Sequence, residues 1–206
     1  MQIAAEKQNW GGRVYCCLFI AALLGLSTTG CIKYVHVDAG GGVPISVGEG
    51  AGGSKSTGKA IVTGRLGFSS GFDHEFLGGF WHSLGFRYSH QWLDNTAGDS
   101  TIKMTRTQFS LLDYMIGWSV TDWFIPAVSI PVGLDFRKFE GGNGYESMVY
   151  FGAGVHFRFY PLITSSNNFA LVLSPAIEVH WTFPEGQKIG GAASFPIMMH
   201  IGFEFS

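Results

Sequence analysis

Hydrophobic and polar residues alternate strictly over four segments in the second half of the chain. Every even position of 124–136 is apolar, whereas Ser129, Gly133 and Asp135 lie among the odd positions. The same period of two recurs over 147–159, 169–183 and 195–205. Because successive side chains of a β-strand point to opposite faces, this period predicts strands with one apolar and one small or charged face.

Weaker alternation upstream brings the predicted number of strands to eight. Residues 60–68 and 80–92 alternate, and in 102–119 only the half from Leu112 onward does so. The first strand lies at 32–38, at 43–49, or across both with a kink at the glycines 40–42. Eight is the smallest number of strands in membrane barrels. The sequence therefore predicts an all-β, single antiparallel up-and-down transmembrane β-barrel after an N-terminal signal segment.

The predicted connections between strands alternate in character. Those after strands one, three, five and seven are Gly-rich and polar, at 49–58, 94–101, 140–144 and 184–191, and those between are compact, as at 119–122 and 164–167. External loops of such barrels are longer than periplasmic turns. This pattern predicts that the N- and C-termini are both periplasmic.

The balance between the two faces favours a membrane barrel over a soluble sandwich or a lipocalin-like barrel. Only 14% of residues are charged, against about a quarter in soluble domains. Unbroken rows of Phe, Leu, Ile and Val suit lipid, and the small residues opposite suit a narrow lumen.

Four prolines at 126, 131, 175 and 196 conflict with strands, since each removes a ladder donor. The net charge of −2 gives no reason to expect a nucleic-acid partner.

The first thirty residues predict an export signal. Lys7 and Arg13 precede an apolar run at 14–26, the arrangement of a secretory signal peptide. The following 28–31 segment, Thr-Thr-Gly-Cys, resembles the lipobox of bacterial lipoproteins, which implies lipidation at Cys31, although Thr28 departs from the expected aliphatic residue. An uncleaved anchor and ordinary cleavage nearby are alternatives. The predicted organisation is 1–30 signal peptide, 31–57 N-terminal segment with the first strand and loop, and 58–206 main body of the barrel.

The polar faces carry charged and histidine side chains that are expected to point into the lumen. An unpaired buried charge is costly, so these residues should form paired networks that fill the barrel. The predicted network is Arg65, Arg87, Asp113, Asp135, Arg137, Glu146, His156, Arg158, Glu178, His180, His200 and Glu204. A second interpretation makes four of these a metal or acid–base site, namely His156, Glu178, His180 and His200.

Two further motifs are candidates for catalytic or phosphate-binding sites. His82-Ser83 and Ser89-His90 supply residue types of the Ser–His–Glu lipid A deacylases, but neither has that family's His-x-Ser spacing. His82 and His90 fall on the apolar face. A bulge or register shift at His82, and a position at the membrane interface for His90, would explain this placement. The glycine clusters lack a following Gly-Lys-Ser/Thr, so they indicate turns. No catalytic residue, cofactor or metal is predicted.

The C-terminal segment completes a resemblance to a known class. The alternating apolar residues of 197–205 resemble the recognition signal of outer-membrane barrels, although Ser206 follows Phe205. Aromatic residues also cluster at predicted strand ends, as interfacial girdles do; they are Trp92, Trp118, Trp123, Phe124, Phe159, Tyr160, Trp181 and Phe183.

The chain thus resembles the small OmpA-type outer-membrane barrels. The resemblance implies outer-membrane lipid as a partner, and the assembly machinery through Phe203 and Phe205. The predicted function is a structural, adhesive or interaction role with a filled lumen and an unknown protein partner. A narrow pore or small-ligand carrier and a lipid A-modifying enzyme are the alternatives.

Overall fold

The computed structural model describes residues 34–46, 49–50, 54–71, 79–97, 99–141, 146–164, 169–183 and 193–205. They form eight long strands: β1 (Tyr34–Ser46), β2 (Ser54–Gly71), β3 (Phe80–Ala97), β4 (Ser100–Trp118), β5 (Phe124–Phe139), β6 (Glu146–Ile163), β7 (Phe169–Phe183) and β8 (Ala193–Phe205). A two-residue strand, Glu49–Gly50, pairs with the start of β2.

The eight strands close into a barrel. Each pairs antiparallel with its neighbours in sequence, and β1 pairs with β8 as well as with β2. Closure gives every strand two hydrogen-bonded neighbours, which removes the exposed edges that a sheet in lipid could not tolerate. The predicted all-β up-and-down barrel is confirmed. Within the described ranges, we find no helix with the length and apolar character needed to span a membrane.

Of the three placements predicted for the first strand, the one across both segments is right. The pairing of β1 with β2 runs from Tyr34 to Gly42 without a shift, and its pairing with β8 runs on to Ser46. The strands approach closely here, because a Cβ added to Gly42 would overlap the carbonyl oxygen of Ile197. The glycines that suggested a break therefore lie inside a continuous strand.

A β-bulge explains why only half of the fourth strand appeared to alternate. β4 has one extra residue at Leu111 relative to both β3 and β5. Gln108 and Ser110 are buried on one side of it, and Asp113 and Met115 on the other. The extra residue reverses the parity of the inward positions. β4 consequently alternates along its whole length, in two halves of opposite phase.

The predicted loop at 94–101 is wrong. β3 continues to Ala97 and β4 begins at Ser100, with Thr96 paired to Thr101. The predicted loop at 49–58 is also shorter, since β2 begins at Ser54. The outward face of a strand becomes polar where the strand leaves the lipid, and the hydrogen-bonded ladder continues beyond that point. The polar residues therefore mark the edge of the lipid and not the end of the strand. The turn between β4 and β5 is compact, as predicted.

Local gaps in the ladders accommodate prolines. Paired residues between β5 and β6 stop at Ser129 and resume at Val132, on either side of Pro131. Between β7 and β8 they skip Pro196 in the same way, and a register shift accompanies Pro161 between β6 and β7. A missing N–H is tolerated where the ladder is interrupted.

The apolar side chains face outward and the polar ones inward. Leu66, Phe86, Val128 and Ile197 are among the exposed residues, each 46% exposed or more, whereas the charged residues between them are buried. This inverts the pattern of a soluble protein and matches a barrel surrounded by lipid. Tyr160 is an exception to the predicted aromatic girdle, because its side chain is 8% exposed and points into the lumen.

Candidate functional site

An apolar cluster packs inside the lumen at the end where β1 begins and β8 ends. Its side chains are buried against one another near the ends of five strands. The cluster comprises Trp81, Met115, Ile125, Ala127, Tyr160 and Val172. Packed apolar side chains occupy the β3–β7 side of the lumen at this end.

The middle of the lumen is built around Arg87. Its guanidinium donates two hydrogen bonds to Asp113, of 2.9 and 2.8 Å, and lies 2.5 Å from the carboxylate of Glu178. Arg65 Nε lies 2.7 Å from the same Asp113 carboxylate. All four side chains are almost completely buried. Paired geometry of this kind offsets part of the large cost of removing charges from water.

Glu178 also contacts two histidines. His156 Nε2 lies 2.8 Å from one carboxylate oxygen and His180 Nε2 lies 2.6 Å from the other. His200 does not join this contact; its ring centroid is 5.7 Å from that of His156. Across the residues that the structure describes, no set of three His, Cys, Asp or Glu side chains is placed to hold a metal ion. The geometry is that of a packed network, with Glu178 occupied on both oxygens.

Two further ion clusters lie on either side of this centre. Towards the termini, Arg158 lies 2.5 Å from Glu204 and 3.8 Å from Asp38, and its guanidinium stacks 4.6 Å over the Trp81 ring. A cation over a Trp face is favourable where water is excluded. The Arg158 cluster therefore connects the ion network to the apolar cluster.

Towards the loops, Arg106 lies 2.5 Å from Asp135, and Arg137 lies 3.6 Å from the same carboxylate. Arg106 donates to Ser194 at 2.8 Å, and Arg137 donates to Thr182 at 2.6 Å. The bond from Arg106 on β4 to Ser194 on β8 crosses the lumen, because these strands lie on opposite sides of the eight-stranded barrel. The bond from Arg137 on β5 reaches past β6 to Thr182 on β7.

The described lumen balances its charges. Five guanidinium groups, of Arg65, Arg87, Arg106, Arg137 and Arg158, meet five carboxylates, of Asp38, Asp113, Asp135, Glu178 and Glu204. On the loop-side halves of β2–β4, the apolar side chains of Ile61, Leu93 and Met104 are also buried in the lumen. The described lumen therefore has a charged centre with apolar side chains packed on either side of it.

Comparison with known proteins agrees with this architecture. Neither a protein-family model nor a curated protein sequence matches the chain. Among solved structures, one match is Ail, the attachment invasion locus protein of Yersinia pestis, in complex with the heparin analogue sucrose octasulfate. The two chains are 14% identical and superpose with a TM-score of 0.54. The match covers 84% of this chain and 98% of Ail.

Two further matches are barrels of other bacteria. Neisserial surface protein A is 12% identical with a TM-score of 0.48, covering 84% of this chain and 95% of that one. The N-terminal β-barrel domain of Pseudomonas aeruginosa OprF is 13% identical with a TM-score of 0.45, covering 84% and 98%. The chain has the fold of the small outer-membrane β-barrels. Since folds of this kind host many functions, the likeness leaves the role of this barrel to its own residues.

The outer-membrane barrel fold positions most of the predicted network residues in the lumen. The exception is Glu146, which is exposed at the start of β6 and pairs in register with Arg137. Three charged or histidine residues of the lumen were missed by sequence reasoning: Arg106 of β4, whose inward position was hidden by the bulge at Leu111, and His36 and Asp38 of β1. His36 is fully buried and its Nε2 lies 3.4 Å from Ser83 Oγ. The alternation of Val35 and Val37 with His36 and Asp38 was the signal that could have found the two β1 residues.

The outer face of the barrel carries His82 and His90, as the alternation predicted. His90 Nδ1 lies 2.9 Å from Thr107 Oγ1, and His82 packs between the rings of Phe80 and Tyr114. The pairing of β3 runs through His82 without a shift. The predicted bulge or register shift at His82 is therefore wrong.

The serines beside these histidines face the lumen. Ser83 and Ser89 are buried there, and adjacent strand residues point to opposite faces. Neither Ser–His pair can therefore act as a nucleophile and its base. Cys31 and the predicted signal peptide lie outside the described residues.

Proposed function

We propose that the chain is an outer-membrane β-barrel with a sealed lumen and a structural, adhesive or interaction role. The sealed lumen carries this proposal. Its apolar cluster at the terminal end and the cross-lumen bonds of Arg106 and Arg87 occupy the space that a pore or a ligand carrier would need. An eight-stranded barrel has room for side chains or for one small ligand, and here side chains take that room.

A sealed lumen predicts that the purified protein conducts no steady ionic current. Planar-bilayer recordings of the full chain would measure this, with protein incorporation verified by recovery from the bilayer material. We expect the baseline of the protein-free membrane, because the apolar cluster around Trp81 and the cross-lumen pair of Arg87 and Glu178 occupy the lumen. Discrete, long-lived current steps in most recordings would reject the sealed barrel and favour the narrow pore.

The proposed orientation places both termini in the periplasm and the hairpin formed by the end of β3 and the start of β4 outside. The compact turn between β4 and β5 supports this assignment, since short turns are typically periplasmic. In this orientation, the partner-binding surface is the loop end, where the exposed Lys59 pairs with the partly buried Asp94. The outward rings of Phe203 and Phe205, packed with Phe169, would engage the assembly machinery at the opposite end.

We also propose that a lipid on Cys31 anchors the N-terminus. An acylated residue at position 31 lies three residues before β1 and would anchor in the periplasmic leaflet beside the barrel. Replacing it, Cys31→Ala, is expected to abolish incorporation of a palmitate analogue by cells. Cys17→Ala serves as the control, because Cys17 belongs to the predicted signal peptide and its removal should leave labelling intact. Persistent labelling of Cys31→Ala would exclude Cys31 as the acceptor.

A further inference from the structure

An apolar groove runs along the outer face of β1–β4. It has a volume of about 410 Å³ and is lined by Val37, Gly64, Leu66, Phe86, Tyr88 and Leu111, among others. We propose that it binds an acyl chain of a bilayer lipid. The proposal rests on the membrane location in the proposed function and goes beyond it by assigning a site on the lipid-facing surface.

The shape of the groove follows from one small residue and one bulge. Gly64 forms its floor between Ala39 of β1 and Tyr88 of β3. Phe86 and Leu111 form a ridge beside it and are each 60% exposed. Leu111 is the extra residue of the β4 bulge, which turns its side chain outward next to Leu112 rather than into the lumen. The groove therefore forms because Gly64, which has no side chain, lies beside the ridge of Phe86 and Leu111.

The floor of the groove is open space. A Cβ added to Gly64 would meet only the Asp38 carbonyl oxygen, at 3.9 Å. Gly42, Gly85 and Gly133, by contrast, lie so close to neighbouring backbone that an added Cβ would collide with it. Gly64 is thus not required for strand packing, and its missing side chain leaves room for an external group.

The walls of the groove select an apolar occupant. Its charged lining residues, such as Arg65 and Arg87, direct their side chains into the lumen, where carboxylates hold them. A group lying in the groove thus meets hydrocarbon and aromatic side chains. Burying apolar surface against them is favourable without any hydrogen bond.

Polar side chains lie on the outer face beyond both ends of the groove, with His82 packed against Tyr114 towards the termini. One ladder row beyond Tyr88, towards the loops, His90 bonds Thr107 on the outer face, and the His90 ring packs 4.6 Å from Trp92. Residue 90 lies roughly 13 Å along the strand from Phe86, at about 3.3 Å per residue. A stretch of hydrocarbon and aromatic side chains between these polar ends matches the acyl chain of a lipid.

A second copy of the chain fits the groove less well. Eleven residues line it, whereas about 20–30 residues a side form a stable protein interface. Phe86 and Leu111 also protrude on its flank. A flexible, unbranched chain can enter such a depression without further adjustment of the barrel.

Photo-crosslinking tests the proposal. The full chain would be reconstituted in phosphatidylcholine vesicles containing a trace of phosphatidylcholine with a diazirine in its acyl chain, irradiated, and mapped by mass spectrometry. We expect adducts to be enriched on the outward residues of β2–β4 over those of β5–β8. Gly64→Leu should lower the adducts in the groove roughly fivefold, equivalent to about 1 kcal/mol.

Two further variants make the test specific. Ala153→Leu enlarges a residue on the outer face of β6, outside the groove, and should leave the adducts on β2–β4 unchanged. Leu111→Ala removes the ridge and should lower them, and it requires no repacking of the lumen. Mobility of unheated samples on mild-detergent gels would verify that each variant is folded.

The contradicting results are distinct. Adducts spread evenly around the barrel, adducts that Gly64→Leu leaves unchanged, or protein–protein cross-links at the groove would each overturn the lipid site. Absence of adducts from every outward face would instead reject the membrane location itself, and with it the proposed function.

Discussion

Replacing Arg87 by methionine is expected to lower the free energy of unfolding by about 3–5 kcal/mol, the usual cost of removing one partner from a buried ion pair. Arg87 contacts both Asp113 and Glu178, and both carboxylates are buried. Methionine retains much of the apolar length of the side chain, so the loss reports on charge more than on volume. Urea titration of the barrel in phospholipid vesicles, followed by tryptophan fluorescence, would measure it.

Lys103→Met is the matched control for this change. Lys103 lies 3.7 Å from Glu140, but both side chains are more than 60% exposed. Exposed ion pairs contribute about 0–1 kcal/mol, so this variant should remain close to the wild type. If Arg87→Met costs no more than Lys103→Met, the charged centre does not stabilise the barrel in the way described.

Replacing Trp81 by alanine should have a comparable effect, a loss of about 3–5 kcal/mol, as for other large aromatic residues removed from a core. Trp81 packs in the apolar cluster with Met115 and Ile125 and lies under the guanidinium of Arg158. Its removal leaves a cavity and takes away the cation–π partner of a buried charge. The same urea titration would measure the loss.

Trp123→Ala provides the comparison for this variant. Trp123 is 55% exposed in the turn before β5, where its ring stacks on Phe159. Removing it creates no cavity, so we expect less than half the effect of Trp81→Ala. Equal losses for the two variants would indicate that stability comes from the interfacial aromatic residues and not from a packed lumen.

The sequence predicts which residues of a strand face the lumen, because lipid favours apolar side chains at one set of alternate positions and the lumen favours small or polar side chains at the other. Asp135, Glu178 and His180 could be assigned to the inner face in this way. The phase reversal in β4 could not, since a bulge leaves two short runs that each look like a weaker strand. Asp94 and Thr96 were predicted to lie in a loop because they are polar. Polar residues mark where a strand leaves the lipid, but the hydrogen-bonded ladder continues beyond that point.

The partners within the lumen could not be predicted from the strand pattern. Arg87 and Glu178 lie on β3 and β7, which are not adjacent, and their contact depends on how far opposite walls approach. Alternation assigns a face to each residue but says nothing about contacts across the barrel. The apolar side chains of the lumen were not predicted for another reason. Trp81 and Leu93 share the inward-facing positions of Arg87, but the predicted network contained only charged and histidine residues.

The sealed lumen is tested most directly by the chemical accessibility of Ser129, which is fully buried on β5 beside His156. Ser129→Cys would be made in a chain whose native Cys16, Cys17 and Cys31 are replaced by serine, with Thr101→Cys at the exposed hairpin as the reference. Both would be treated with a small water-soluble thiol reagent in isolated membranes. We predict that the cysteine at 101 reacts while the cysteine at 129 stays unmodified until the barrel is unfolded by heat. Reaction of both cysteines at similar rates in the folded barrel would show that water and solutes reach the lumen, and would contradict the account.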